Sequence, residues 1–142
     1  MRFAVCSDTD PSRFIDAGCA ALDAECIYGR EHIERAVECA ERAFRQGRNV
    51  ASRMEIETVL YAACERNISR AFKKLGVRES TRYVLLLCSD GDVLKEVEEV
   101  KFPRSLRALE VMGIPRERAE ALSEEERLLL VYEKIALSEL LR

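Results

Sequence analysis

The run Y-V-L-L-L-C at Tyr83 to Cys88 constrains the fold more than any other part of the chain. Successive side chains of a strand point to opposite faces, so six apolar residues in a row leave no face for water. The run is too short for a buried helix, and it is bounded by the polar residues 77–82 and by S-D-G-D. It therefore predicts the centre of a sheet, with helices covering both sides. Arg2 to Ser7, in which Phe3, Val5 and Ser7 alternate, predicts a first strand. Asp8 to Pro11 is expected to turn the chain, and Pro11 or Ser12 to open a short helix through Phe14, Ile15 and Cys19. Ala24 to Tyr28 is expected to form a brief second strand, and Val100 to Phe102 an edge strand that Pro103 ends.

Most of the remaining chain has helical spacing. Ile33, Ala36, Val37, Ala40 and Phe44 predict a long helix over 30–46, with Gly47 as its stop. Val93, Leu94, Val97 and Val100 predict a short helix over 92–100, and further helices are expected over 105–112 and 115–122. Ser123 and Glu126 form a capping-box pattern that opens a helix running to Arg142. Glu124, Glu125 and Glu126 suit its positive end and Arg142 its negative end. With 142 residues, 48% of them hydrophobic, the chain can bury a core of its own. The expected fold is α+β: a single domain over 1–142, with a small, mostly antiparallel sheet covered by about six or seven helices.

Several function classes find no support in the sequence. The N-terminus has no signal-peptide core and no apolar run approaches a membrane span, so a cytoplasmic protein without membrane contact is expected. The six cysteines (Cys6, Cys19, Cys26, Cys39, Cys64 and Cys88) include no C-x-x-C pair, and they are expected to be buried thiols acting as small hydrophobes. The one histidine, His32, is expected at the surface or at a boundary. No glycine-rich phosphate loop follows a strand. A cysteine enzyme built on Cys64 would need a general base close by. No enzyme, cofactor or metal site is therefore expected.

Ser52 to Gly76 carries the most functional information. Ile56, Val59, Leu60 and Ala63, then Ile68, Ala71, Phe72 and Leu75, give two consecutive helices an apolar stripe each. Asn67 is expected to cap the second helix, and Gly76 to end it in the left-handed conformation. Arg66, Arg70, Lys73 and Lys74 occupy the other face, with Arg53 at the head of the pair. Residues 42–82 hold ten basic and four acidic residues, +6, against −9 for the rest of a chain whose net charge is −3. This window is either an ordinary solvated face or a surface for a localised anionic partner.

The last helix has more apolar surface than one contact needs. Leu128, Leu129, Tyr132, Ile135, Ala136 and Leu140 fall on one arc, expected to face the core, while Leu130, Leu137 and Leu141 form a second stripe. That second stripe is covered by the chain's own helices, by a partner, or by a second copy.

The segment M-E-I-E-T-V-L-Y-A-A-C-E-R-N-I-S-R-A-F-K-K-L-G-V, the strand Y-V-L-L-L-C and the closing E-K-I-A-L-S-E-L resemble the kinase-binding regulatory subunits of the KEOPS complex (the Cgi-type, TPRKB family), with a compact, arginine-rich, archaeal character. The resemblance implies a non-catalytic subunit of the assembly that makes threonylcarbamoyladenosine in tRNA. Such a subunit binds and stimulates the small atypical kinase/ATPase of the complex and helps recruit tRNA through its CCA end. Carried onto this chain, it implies RNA binding by Arg53, Arg66, Asn67, Ile68, Arg70, Lys73 and Lys74, and kinase binding by Leu130, Leu137 and Leu141. The free protein is expected to be a monomer.

Overall fold

A computed structural model describes residues 1–7 and 9–141. Three strands, β1 (Arg2–Ser7), β2 (Ala20–Asp23) and β3 (Tyr83–Cys88), form an antiparallel sheet in the order β1-β3-β2. The strand formed last in the chain lies in the middle, with Leu85 opposite Val5 on one side and Leu22 on the other. Leu85 and Leu87 join the larger core with Val5 and Leu22, while Val84, Leu86 and Cys88 face a second cluster with Cys6, Phe14 and Ala21. The run is thus buried on both faces, as its composition predicts.

Among the described residues seven helices accompany the sheet: α1 (Ser12–Asp16), α2 (Gly29–Arg45), α3 (Met54–Ala63), α4 (Ile68–Leu75), α5 (Arg107–Val111), α6 (Arg116–Glu120) and α7 (Glu124–Leu140). The architecture is the expected α+β fold, a small antiparallel sheet with about seven helices. The larger core takes its apolar side chains from α2, α3, α4, α5 and α7, and α2 packs along α3. Phe14 of α1, with Val93, Leu94 and Val97, covers the other face. The capping box of α7 is formed: Ser123 Oγ accepts the Glu126 amide hydrogen at 3.2 Å, and Glu126 Oε1 accepts that of Ser123 at 2.9 Å. Asp8, at the expected first turn, and Arg142, expected at the α7 terminus, lie outside the described residues.

Six expectations are corrected. The second strand is residues 20–23, and Ala24–Cys26 form a 3-10 turn instead, capped by Asp23, whose carboxylate accepts the Glu25 amide hydrogen at 3.0 Å. Ala20 and Ala21 have little strand propensity of their own, and pairing with β3 decides their conformation. Residues 92–100 form no α-helix; a 3-10 turn covers Gly91–Leu94, and Val100 contributes one amide hydrogen bond to Val5 O (2.9 Å) without becoming a strand. Gly76 is not left-handed: it is extended (φ −67°, ψ 158°), and a Cβ there would stand 2.4 Å from the Phe72 carbonyl oxygen. The glycine is needed because the last turn of α4 leaves no room for a side chain there, and the same residue forms an isolated bridge with Leu22.

Cys19 and Cys88 are joined in a disulfide. Ala20 pairs with Leu87, so these two residues are the next opposed pair of the same ladder, a proximity that 69 residues of separation conceal. Cys6, Cys26 and Cys39 are buried free thiols as expected, and burial pushes the Cys26 and Cys39 thiols up.

The sixth correction is His32, which is fully buried. Its Nδ1 accepts the Tyr28 amide hydrogen at 2.9 Å, so Nε2 carries the ring proton and donates to Ala62 O at 3.0 Å. The neutral ring thereby ties the start of α2 to the last turn of α3. Burial outweighs the Ala62 bond and lowers the pKa from 6.5 to about 4. Between those values the unfolded chain binds a proton that the folded chain refuses. The stability associated with the neutral ring is complete above pH 6.5 and is lost as pH falls toward 4, by on the order of 3 kcal/mol. Urea unfolding of wild type and His32→Gln across this range should show the stability difference between them shrinking as pH falls; a constant difference would contradict the buried neutral ring.

Candidate nucleic-acid interface

Helix α3 is buried nearly all round. Thr58 to Ala63 are all inside, and buried Glu57 accepts amide hydrogens from Val50 and Ala51 at 3.1 and 2.8 Å. The helix ends at Cys64, whose backbone is left-handed (φ 55°), a conformation unusual for a residue with a Cβ. Cys64 donates its amide hydrogen to Tyr61 O, and Glu65 to Leu60 O, which satisfies the last carbonyls of α3. Arg66 and Asn67 complete a reversal of three residues after Cys64. Asn67 caps α4 as expected, its Oδ1 accepting the Arg70 amide hydrogen at 3.0 Å.

The short helix α4 buries Ala71 and Leu75 and half-buries Phe72. Ile68, expected in the core stripe, is 47% exposed because it occupies the first position of α4, beyond the edge of the core. Its apolar side chain therefore stands beside the cations. Arg70 and Lys73 are exposed and form no ion pair among the described residues. Lys74 is paired with Glu65 at 2.8 Å. Arg66 donates from Nη1 to Leu141 O at 2.8 Å, leaving most of its guanidinium donors open.

Arg53 does not belong to this cluster. It is the residue before α3, and the ten residues of that helix separate it from the turn by about 15 Å. Its guanidinium bonds Gly18 O and pairs with Glu55 at 2.9 Å, while Glu55 also accepts the Ser89 hydroxyl proton. Arg53 stays exposed, but its charge is offset by the buried Glu55 carboxylate. Arg78 was not singled out from the sequence, yet it is exposed just beyond α4 and donates to Lys73 O. Its membership of the +6 window was the only signal for it. The Asn67 carbonyl oxygen is committed to the cap, so its amide NH2 is the group left for a ligand.

The terminal helix presents a different face from the one expected. Val131 and Ile135 are buried, and Leu128 and Leu130 pack half-buried on the core. Leu129, Ala136 and Leu140, expected on the core arc, point outward, with Leu129 61% and Leu140 81% exposed. Leu137 and Leu141 of the second stripe are 50% and 73% exposed. The reason is that α7 packs on α2 and α3 along one side only, held there by the Arg42–Glu139 ion pair at 3.2 Å and by the Arg35 guanidinium over the Tyr132 ring. Helix α7, about 25 Å long, thus leaves Leu129, Leu137 and Leu140 exposed, with Leu141 just beyond its end.

Cysteine chemistry is poorly served. Burial pushes the Cys64 thiol up to about 11, against the opposing effects of the Ser138 hydroxyl, Lys74 and Lys134, so it is a thiol and not a thiolate near neutrality. Both nitrogens of His32 are already engaged in backbone bonds. Among the described residues no group of three or more His, Cys, Asp and Glu side chains could hold a metal ion, and no helix is long and apolar enough to cross a membrane.

The family model described as kinase binding protein CGI-121 matches residues 11–133, a span that takes in the α3–α4 turn and the start of α7 and ends before Leu137, Leu140 and Leu141. A curated relative, the EKC/KEOPS complex subunit CGI121 of Coccidioides immitis (strain RS), is 34% identical over 68 residues. That match takes in 48% of this chain and 33% of the fungal protein, about a third of the relative's length.

Proposed function

The chain belongs to the CGI-121 family of kinase-binding proteins, and from that premise we propose that it is a non-catalytic subunit of a KEOPS complex, which binds and stimulates the small kinase/ATPase of that assembly and helps recruit tRNA through the CCA end. The observation that carries this reading is the presence, on one small fold, of two separate unsatisfied surfaces. One is the turn bearing Arg66, Arg70 and Lys73 beside exposed Ile68; the other is the leucine face of α7.

The two surfaces suit partners of different chemistry. Single-stranded RNA brings phosphates, which want cations, and unstacked bases, which want an apolar or flat surface. The α3–α4 turn offers both, with Ile68 in place of an aromatic platform, Lys74 as a partly neutralised cation and the NH2 of Asn67 as a donor to a base. Arg53 is assigned no RNA contact here because its guanidinium is held by Gly18 and Glu55. A folded protein partner brings apolar surface, which matches Leu129, Leu137, Leu140 and Leu141, with Leu130 at the margin. Burying such leucines stabilises a complex by roughly 1.5–3 kcal/mol for each side chain fully covered.

Two measurements test the two halves. The double reversal Arg70→Glu/Lys73→Glu touches only exposed side chains, so circular dichroism should be unchanged while tRNA affinity falls by about 10-fold or more at low salt. The slope of log K against log salt should become shallower by about 1.4, the share of two phosphate contacts on a single strand; equal slopes would remove the RNA half. For the kinase half, Leu137→Glu should abolish co-elution with the kinase of the same complex, and the free protein should have the mass of a monomer by light scattering. A dimer that Leu137→Glu dissociates would assign the leucine face to self-association instead.

A further inference from the structure

The two surfaces meet at one side chain. Arg66 belongs to the cationic turn, yet its Nη1 donates to the carbonyl oxygen of Leu141, the residue that ends α7. The last carbonyls of a helix have no partner within it, and an arginine that takes one both satisfies the group and faces the negative end of the dipole. The last turn of α7 therefore depends on Arg66 for its finish. Arg66 in turn depends on that turn for its direction, since a long, exposed guanidinium otherwise samples many rotamers.

The neighbourhood reinforces this junction. Ser138, one turn before Leu141, has its hydroxyl beside the Cys64 thiol, and that thiol also senses both Lys74 of α4 and Lys134 of α7. The α3–α4 turn and the end of α7 thus touch at two points, Cys64 with Ser138 and Arg66 with Leu141. Leu137, Leu140 and Leu141, three of the most exposed apolar side chains in the structure, lie on this same terminal stretch of α7.

We propose that Arg66 couples the two surfaces: a partner that grips the leucine face fixes the last turn of α7, holds Arg66 through the Leu141 carbonyl, and so presents its remaining N–H groups to an RNA phosphate. A guanidinium has five donors in a planar fork, and the carbonyl occupies one edge, so both ligands are served at once and the coupling is positive. By linkage the effect is reciprocal: RNA on the turn tightens the grip of the partner by the same factor. Arg66 acts here as a positioning residue as well as a phosphate contact. This inference rests on the two-surface reading above and deepens it.

The test is a binding cycle with the full chain, the kinase subunit of its own complex, and a tRNA transcript with an intact CCA end. In the wild type, saturating kinase should tighten tRNA binding by roughly fivefold or more, the usual range of coupling between sites. Arg66→Lys keeps the charge but loses the planar fork, so whatever the fall in its affinity for tRNA alone, the ratio of its tRNA affinities with and without kinase should drop to near one. Amide exchange at residues 138–141 gives a readout that needs no kinase: it should slow when tRNA binds the free wild type and stay unchanged in Arg66→Lys. An equal enhancement in the two proteins, or none in the wild type, overturns the coupling while leaving both binding surfaces standing. Absence of tRNA binding in every form overturns the coupling and the RNA reading together.

Discussion

Strand β3 has no side that tolerates water, and the rest of the molecule is arranged around that fact. Its neighbours on both edges are short and antiparallel, so the sheet gives little cover by itself. Cover comes from helices on the face of Leu85 and Leu87, and from a thinner set of side chains, Phe14, Val93, Leu94 and Val97, on the face of Leu86. The thick side is where the polar staples lie. His32 joins α2 to α3 through two backbone bonds, and Glu57 holds the loop before α3 by its amides. With these in place α3 is fixed on every side, and the turn that follows it is presented on a rigid support. The cations of α4 project from that support, which limits the ordering needed when an anionic ligand binds.

The second surface has a different support. Helix α7 lies across α2 and α3, anchored by Val131, Ile135 and the Arg42–Glu139 pair. One face is spent on that anchorage and the outer face is free. The division is not the one that an apolar pattern alone would give, because helix α7 is apolar over most of its circumference. What selects the buried side is the direction from which α2 and α3 approach.

This shows where the sequence speaks clearly and where it does not. Elements whose own residues settle their conformation were legible: β1 by alternation, β3 by its unbroken run, α2 by period and the Gly47 stop, α7 by its capping box, and α4 by Asn67. Elements settled by partners were not. The alanines of β2 take their strand conformation from β3, and the Cys19–Cys88 bond follows from that pairing. His32 is inside because Tyr28 and Ala62 offer its two nitrogens backbone partners, a fact that no local pattern encodes. At the candidate interface the charge type was legible but its availability was not. Arg53 and Lys74 are each taken up by a carboxylate, whereas Arg70 and Lys73 are left to solvent.

The Cys19–Cys88 bond closes the chain between β2 and β3 into a covalent ring that contains α2, α3 and α4 but excludes α7. A ring of this size removes unfolded-chain entropy worth on the order of 4 kcal/mol. The cationic turn thus rides on a closed loop whose backbone could be cut once without the pieces parting, while the leucine helix lies outside that loop. The two surfaces therefore differ in what breaks them: one is protected by a covalent hoop, and the other survives only as long as the packing beneath it.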